Sequence, residues 1–159
     1  MASPITPVVF YRDPLAAMRF LEKAFGFETS LLVTDQEGNV GHAEMSYGEE
    51  GRIGVGGEWG AAELIGPATM RSPSSLEGAG TQFIRVALDS GIDDHCSRAE
   101  AAGAHITQRP EDQFYGARVY RALDLEGHVW CFDQKIEDLS FADMEKASGL
   151  KMTTSLGEA

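Results

Sequence analysis

The chain has 159 residues and a formal net charge of −12, from 13 Lys and Arg against 25 Asp and Glu. This length suits one domain, or two very small halves that share a core. The acidity argues against nucleic-acid binding, because an acidic protein repels the phosphate backbone. It would attract cationic ligands, although acidity often reflects solubility alone, which is the favoured interpretation. The apolar share of 43% and the charged share of 24% are typical of a soluble globular protein.

Neither a membrane span nor a secretion signal is expected. No apolar run approaches the roughly 20 residues that a spanning helix needs. The start, MASPITPVV, has no basic segment followed by a long apolar one. Cys96 and Cys131 form no CxxC motif, so we expect two free thiols and a cytoplasmic protein.

The first third of the chain predicts a strand, a helix and three more strands. Residues 5–11 (ITPVVFY) predict the first strand. Asp13 is placed to cap a helix that has Pro14 at its first position and ends at Gly26. Three strand-like stretches follow at 28–35, 40–47 and 52–58, and GEEG at 48–51 is the predicted turn between the last two.

The same order of elements returns after a connector. Residues 59–80 are rich in Gly, Pro, Ala and Ser, which is typical of a connector. Residues 81–89 predict a strand, and the helix after it ends at Gly103. The segment HITQRPEDQ predicts a strand and loop, and YGARVYRALDL with GHVWCFDQK predicts a strand–turn–strand pair. A capping box at Ser140 predicts a short last helix at 141–148.

Two distances along the sequence indicate an internal repeat. The helix ends Gly26 and Gly103 are 77 residues apart (103 − 26), and the turn glycines Gly51 and Gly127 are 76 apart (127 − 51). Such a nearly constant offset predicts two copies of a βαβββ module that build one core together.

The quoted motifs resemble a known superfamily. FYRDPLAAMRFLEKAFGF and HAEM in the first module, and YGARV and DLEGHVW in the second, are similar to the vicinal oxygen chelate group. This group contains glyoxalases, bleomycin-resistance proteins and extradiol dioxygenases, and the chain is most similar to its glyoxalase-like branch of mostly unassigned function. The resemblance covers about residues 5–134.

The resemblance implies an α+β fold in which two βαβββ modules form a curved mixed sheet with a central cleft, followed here by a short C-terminal helix. The chain, 1–159, is then one glyoxalase-like domain. Its expected parts are module 1 (5–58), a connector (59–80), module 2 (81–134) and a C-terminal extension (135–159).

The resemblance also implies where a metal would bind, in the first and fourth strands of each module. Carried over by position, these sites fall on Thr6, on Phe83 within TQFIR, on Cys131 and, at an offset of 76, on Val55. Zinc, nickel and iron need three or four converging N, O or S donors. We therefore expect the usual metal to be absent and no cofactor to be needed, with a displaced divalent metal as the alternative.

His42 and Glu44 are the candidate catalytic residues. Two positions apart in a predicted strand, they share a face. An imidazole beside a carboxylate suits a general base oriented by its neighbour. The same two side chains are also consistent with two ligands of a displaced metal, or with a polar pair that stiffens the sheet.

The repeat makes a prediction about what faces this pair. The offset of 76 gives His42 and Glu44 the mates Arg118 and Tyr120. If GEEG is a four-residue loop, Glu44 lies opposite Val55 and, by the same count, Tyr120 opposite Cys131. The resemblance makes Val55 and Cys131 cleft-facing, so all four polar residues are expected in the cleft. A slip of one residue would turn them to the other face.

Further residues are predicted to contact a ligand. Arg118 is suited to hold an anionic or carbonyl group, or to pair with Glu44. Tyr120 and Tyr115 are suited to stacking on a ligand or to core packing. Trp59, with Met70 on the connector, is placed to form an apolar lid over the cleft.

The remaining cysteine and histidines are expected to be less directly involved. Cys131 lines the predicted cleft, but no Cys/His motif flanks it, so a buried structural thiol is favoured over a nucleophile. His95 is expected to be solvated, and His128 to make turn contacts.

Three classes of function remain open from the sequence. The first is a metal-independent protein of the bleomycin-resistance type that binds a small molecule. The second is a glyoxalase-like enzyme, an isomerase, epimerase, lyase or dioxygenase, that uses His42, Glu44 or a displaced metal. The third is a purely structural module. The resemblance also implies a homodimer, and the long connector would permit exchange of modules between subunits.

Overall fold

Two βαβββ modules follow one another along the chain. A computed structural model describes residues 4–60 and 69–156, and the predictions for 1–3, 61–68 and 157–159 lie outside this part. Module 1 contains β1 (Val8–Tyr11), α1 (Pro14–Phe20), β2 (Glu28–Thr34), β3 (Val40–Tyr47) and β4 (Gly51–Gly57). The connector contributes β5 (Trp59–Gly60) and β6 (Thr69–Met70). Module 2 and the extension contain β7 (Phe83–Leu88), α2 (Ile92–Ala101), β8 (His105–Asp112), β9 (Ala117–Leu123), β10 (Val129–Lys135) and α3 (Phe141–Ser148).

The first helix begins and ends at the predicted residues. The Asp13 side chain accepts a hydrogen bond from the backbone N–H of Ala16, and Pro14 occupies the first turn. After α1 the helix continues as one π-helical turn, Leu21–Phe25. Gly26 ends it in the left-handed conformation, with φ of 81°, which glycine adopts without strain.

The main strands form two mixed four-stranded sheets, in the orders β1-β4-β3-β2 and β7-β10-β9-β8. In each sheet the first strand of the module runs parallel to its neighbour, and the other pairs are antiparallel. The α+β fold class predicted from the sequence is therefore confirmed. The connector adds the short β5–β6 ladder and a 3₁₀ turn at Pro73–Ser75.

One hydrophobic core joins the two modules. The core residues of both modules belong to a single buried cluster. Phe25, at the end of the first helix, packs on Trp130 and Phe132 of β10, with ring centroids 5.4 and 4.9 Å away. Each sheet therefore turns its helix-bearing face to this core. We call the opposite faces, directed away from α1 and α2, the outer faces of module 1 and module 2.

A buried carboxylate fixes the β9–β10 turn against module 1. Asp124 accepts hydrogen bonds from the Tyr11 hydroxyl at 2.7 Å and from the Trp130 indole N–H at 3.0 Å. Burial, and then the charge of Asp124, raise the pKa of Tyr11 well above its usual value, so its hydroxyl stays a donor. Two residues on, Glu126 accepts from the backbone N–H groups of Arg12 and Asp13 at 2.8 and 2.9 Å.

The register of the two hairpins differs by one residue from the prediction. Tyr47 pairs with Gly51, so the β3–β4 loop has three residues and Gly51 belongs to the strand. Glu44 consequently lies opposite Gly54, and Val55 lies opposite Ala43. The prediction of a Glu44–Val55 pair is wrong because the loop was taken to be one residue too long.

The module 2 hairpin also differs by one residue, in the opposite direction, because its loop is one residue longer than predicted. Cys131 pairs with Arg121, whereas Tyr120 pairs with Phe132, so the predicted Tyr120–Cys131 pair is also wrong. The parallel ladders give the offset between the modules. Val9 pairs with Val55 in module 1, and Val86 pairs with Phe132 in module 2. Equivalent residues of the two modules are therefore 77 apart (86 − 9 and 132 − 55). The offset of the helix ends thus holds for the strands as well.

The C-terminal helix forms where the sequence predicts it. Ser140 caps α3 by accepting from the backbone N–H of Asp143, and Gly149 ends it in the left-handed conformation. None of its residues is buried. In the described part of the chain, no helix is long and apolar enough to cross a membrane.

Candidate functional site

His42 and Glu44 lie side by side on the outer face of module 1. The His42 Nε2 and Glu44 Oε1 atoms are 3.0 Å apart, and 53% and 45% of their side chains are exposed. Their neighbours Ala43 and Met45 point to the core. Across the ladder, His42 and Glu44 are paired with Val33 and Leu31 of β2. The predicted pair therefore exists, and its imidazole is accessible.

An aromatic cavity adjoins His42. It has a volume of about 340 Å³ and is lined by His42, Phe10 and Trp59, among others. The Phe10 and Trp59 rings meet edge to face, with centroids 6.1 Å apart. Trp59, predicted to form a lid, thus shares a cavity with the predicted catalytic histidine. Phe10 was missed, because a single aromatic residue in a strand does not stand out from core residues.

Glycines in β4 allow β1 to lie close on this face. A Cβ atom on Gly56 would lie 3.0 Å from the Phe10 ring, and one on Gly54 would lie 2.9 Å from a Val8 methyl. The distance at Gly54 is shorter than real Cβ contacts show, and the distance at Gly56 is tighter than most of them. The glycines therefore let the Val8 and Phe10 side chains settle onto the neighbouring strand.

A second cavity lies on the other side of Phe10. It has a volume of about 330 Å³ and lies between β1 and the end of the connector, with Val8, Met70 and His128 among its lining residues. His128 Nε2 donates a hydrogen bond to the Phe10 carbonyl at 2.7 Å. Met70 pairs with Trp59 in the β5–β6 ladder. The connector thus places both predicted lid residues against β1.

Arg118 and Tyr120 do not lie with His42 and Glu44. Arg118 binds the carboxylates of Asp93 on α2 and Asp112 on β8, at distances of 2.7 to 2.9 Å. Tyr120 is fully buried in the shared core and stacks on Phe132, with centroids 4.8 Å apart. The expectation that these residues line one cleft with His42 and Glu44 is wrong, because the register slip placed them on the wrong face.

His95 is a core contact between the modules and is not solvated as predicted. Its Nε2 lies 3.0 Å from the Phe25 carbonyl of module 1, and its Nδ1 lies 2.6 Å from the Tyr120 hydroxyl. Burial lowers the pKa of His95 below its usual value and raises that of Tyr120. No sequence pattern indicated these contacts, since Asp93 and Asp94 beside His95 suggested a solvated helix face.

Cys131 lies beside Arg85 on the outer face of module 2. It belongs to a small buried cluster with Ala117 and Val119. Arg85 pairs with Cys131 across the sheet, and its guanidinium binds Asp133 through two contacts of 2.7 Å. Arg85 and Asp133 were missed, because only the cross-strand register shows that they share this face. Tyr115 is partly exposed in the turn before β9 and packs edge to face on Phe114.

The residues at the family's metal positions do not fit a metal ion. The corrected offset of 77 makes Gly54, rather than Val55, the mate of Cys131. Thr6, Gly54, Phe83 and Cys131 together offer one hydroxyl and one thiol, fewer than the donors that a transition metal needs. Among the described residues, no group of three or more His, Cys, Asp or Glu could hold a metal ion.

Two four-stranded modules, each with a helix on its inner face and joined by one core, define a protein of the paired βαβββ class. Residues 5–132 match the Glyoxalase/Bleomycin resistance protein/Dioxygenase superfamily, and the chain belongs to this superfamily. The resemblance seen in the sequence is thereby confirmed. No curated protein matches the chain.

Solved structures agree with this assignment. TioX from Micromonospora sp. ML1 is 30% identical, with a TM-score of 0.58 over 83% of this chain and 99% of that one. A superfamily member from Sphaerobacter thermophilus is 18% identical, with a TM-score of 0.63 over 85% and 98%. One from Burkholderia phytofirmans is 20% identical, with a TM-score of 0.60 over 85% and 100%. The last two are similar in fold alone.

Proposed function

We propose that the protein binds a small organic molecule on the outer face of module 1, between Phe10, Trp59 and His42. The cavity at these residues carries the proposal. Its volume of about 340 Å³ lies within the range of small-molecule sites, and aromatic walls with a few polar groups are typical of them. Glu58 also lines it and Glu44 adjoins it, which favours a neutral or cationic aromatic ligand.

Binding is proposed to be independent of a metal. The support is the donor chemistry at Thr6, Gly54, Phe83 and Cys131, which offers too few ligands. Binding would then depend on aromatic contact and on exclusion of water rather than on coordination.

Trp59 fluorescence tests the proposal with 2-(aminomethyl)naphthalene as the ligand. Trp130, the other tryptophan, is fully buried, so the ligand-dependent change is expected from Trp59. Phe10→Ala should weaken the affinity about tenfold, because it removes one aromatic wall. Phe141→Ala is the matched control, since Phe141 is an exposed aromatic residue on α3 outside the cavity.

Treatment with a chelator completes this experiment. The affinity should be the same before and after metal removal. Loss of binding on chelation would contradict the metal-independent proposal, and equal affinity of the Phe10 and Phe141 variants would contradict the proposed cavity.

An enzyme is the second candidate, and the His42–Glu44 contact of 3.0 Å favours it. Glu44 orients the imidazole beside the cavity, as an acid–base histidine requires. The enzyme would be a glyoxalase-like isomerase, epimerase, lyase or dioxygenase, with a displaced divalent metal at these two residues as its variant form. Conversion of a bound compound, abolished in His42→Ala while binding is retained, would favour this candidate.

A homodimer and a cytoplasmic location complete the proposal. Exposed apolar residues on both outer faces, including Val8, Val33 and Phe83, support association with a second copy. Cys96 and Cys131 are free and buried on opposite faces of the module 2 sheet, which suits a reducing compartment.

A further inference from the structure

A groove lies at the junction of the two modules, between the β3–β4 hairpin and strand β7. It has a volume of about 640 Å³, and its two walls are the consecutive residues 47–53 of module 1 and 84–87 of module 2. Side chains alternate between the two faces of a strand, so a wall of consecutive residues is the edge of a sheet. Among the described residues, the lining shares none with the module 1 cavity or with the family's metal positions. The inference below is therefore independent of the function proposed for that cavity.

Both walls have backbone groups without a partner strand. β7 pairs with β10 on one side, and no other hydrogen bond joins the backbone of residues 83–88 to a described segment. Across the groove, pairing of β1 with β4 begins at Val8 and Gly54, so residues 51–53 of β4 pair with β3 alone. An unpaired edge of this kind can bind an extended chain through main-chain hydrogen bonds.

Strand β7 lacks the features that usually keep an edge strand from pairing. Its sequence, FIRVAL, has no proline and one charged residue, Arg85. By contrast β8, the other edge of this sheet, ends in Arg109, Pro110, Glu111 and Asp112. Charged residues and proline are the usual means of blocking an edge. Of the two edges of module 2, β7 is therefore the one that can accept an added strand.

The floor of the groove is the margin of the shared core. Ile53 and Val86 are buried in this core, whereas Ile84 and Tyr47 pack against it and stay partly exposed. The Tyr47 ring contacts Phe27 at a centroid distance of 5.0 Å. An apolar side chain that enters the groove would therefore extend the core, while its neighbours along the strand would point to the other face.

The rim of the groove carries three carboxylates without an ion pair. Glu49 and Glu50 are exposed in the β3–β4 loop, and Asp89 is exposed directly after β7. In the part of the chain that the structure describes, no lysine, arginine or histidine nitrogen lies within 4.0 Å of their carboxylate oxygens. These three charges are therefore available to a partner.

The two arginines of the lining compensate only part of this charge. Arg85 binds both oxygens of Asp133, so that pair has no net charge. Arg52 contributes one positive charge, and its guanidinium donates to the carbonyl oxygens of Gly51 and Glu49 at 2.6 and 3.2 Å. Three carboxylates against one guanidinium leave an excess of negative charge, which favours a cationic partner.

We propose that this groove binds an extended basic segment of another polypeptide, which adds to the four-stranded sheet of module 2 beside β7. The backbone of the segment pairs with the unpaired edge of β7. Apolar side chains at alternate positions pack on Ile84 and Tyr47, and the lysine or arginine side chains between them interact with Glu49, Glu50 and Asp89. Six extended residues span about 20 Å, which is the length of a strand such as β7.

Calorimetry with a capped hexapeptide of alternating valine and lysine tests the charge complementarity. The comparison is the same peptide with glutamate in place of each lysine. Wild-type protein should bind the lysine peptide about tenfold more tightly, because the acidic rim repels the glutamates. Added salt should reduce this difference.

N-methylation of the lysine peptide tests the main-chain pairing. In an extended chain the N–H groups of the valines point to one edge and those of the lysines to the other. Methylating the valines in one peptide and the lysines in a second therefore blocks one edge at a time. One of the two peptides should lose about tenfold or more in affinity, because it cannot pair with β7, and the other should lose much less.

Glu50→Gln should weaken binding of the lysine peptide about threefold, the effect of one exposed charge pair. Glu111→Gln is the matched control, since Glu111 is an exposed glutamate of β8 outside the groove and the substitution changes the net charge equally. It should leave the affinity unchanged. Phe10→Ala should also leave it unchanged, so this groove and the module 1 cavity are judged separately.

Four results would overturn the proposal. The first is absence of binding or equal affinity for the lysine and glutamate peptides. The second is an equal loss in both methylated peptides, which would show attraction of charge without strand pairing. The third is an equal effect of Glu50→Gln and Glu111→Gln. The fourth is dissociation of a dimer by the peptide in light scattering, since this would show that a second copy of the chain occupies the edge of β7.

Discussion

His95 shows how the hydrogen bonds of a partly buried side chain depend on its protonation state. The Phe25 carbonyl can only accept a hydrogen bond, so His95 Nε2 carries a proton. In the neutral ring, Nδ1 then accepts from the Tyr120 hydroxyl, which burial keeps protonated. Both nitrogens are satisfied in the neutral form. A second proton, on Nδ1, would place a positive charge beside the core. It would also turn Nδ1 into a donor that faces the hydroxyl donor of Tyr120.

Stability should therefore depend on pH through His95. Its pKa is lowered in the folded state, so below about pH 6.5 the unfolded chain binds a proton that the folded one does not. The free energy of unfolding falls as pH falls below this value, by at most about 1.4 kcal/mol per pH unit, until the lowered folded-state pKa is reached. Urea unfolding at several pH values in this window measures the free energy of unfolding at each pH. This free energy should change less with pH for His95→Gln than for the wild type.

His105→Gln is the control for this measurement, since His105 is an exposed histidine of β8. It should leave the pH dependence of the free energy of unfolding unchanged. The same pH dependence in His95→Gln and wild type would contradict the assignment of His95 as neutral in the folded protein. Carboxylates whose pKa is lowered in the fold, such as Asp93, add a loss of stability at lower pH, below about 4, outside this window.

At the scale of elements, the β3–β4 hairpin is closed by a glycine that belongs to the strand. A Cβ atom on residue 51 would lie 2.5 Å from the carbonyl oxygen of Tyr47. Gly51→Ala should cost about 1–3 kcal/mol, as for other overpacked sites. Gly41→Ala in β3 is the control, since its Cβ would make an ordinary contact of 3.8 Å, and it should stay within about 0.5 kcal/mol of wild type. Urea unfolding measures both, and equal stabilities would contradict the three-residue loop.

This glycine also explains how far the sequence could predict the site. Helix caps, strand periodicity and the repeat are local signals, and they placed the elements and the His42–Glu44 contact correctly. Register is different, because the side-chain period of a strand is two and a miscount of one residue inverts a face. Matching Gly51 with Gly127 as turn glycines produced the offset of 76, which moved Arg118 and Tyr120 from the core side to the outer face and concealed that Arg85 and Arg121 flank Cys131 there.

At the scale of the whole molecule, the two sheets meet through their helix-bearing sides and leave both outer faces directed away from the core. Within the described residues, β1 and β7 each pair on one side only and do not pair with each other. Such unpaired edges, next to exposed apolar side chains, favour association. The chain alone therefore has two outer faces that are exposed to solvent.

We expect the protein in solution to have twice the mass of one chain. Light scattering after gel filtration measures this directly. Phe83→Asp should shift the mass towards one chain, because it puts a charge on an exposed apolar position of the module 2 outer face that the second copy would cover. Leu32→Asp is the control, since Leu32 is also exposed but pairs with core-facing Ala43 and so lies on the opposite side of its sheet. A wild type with the mass of one chain at all concentrations, or a dimer disrupted equally by both substitutions, would show that the outer faces are not what holds two copies together.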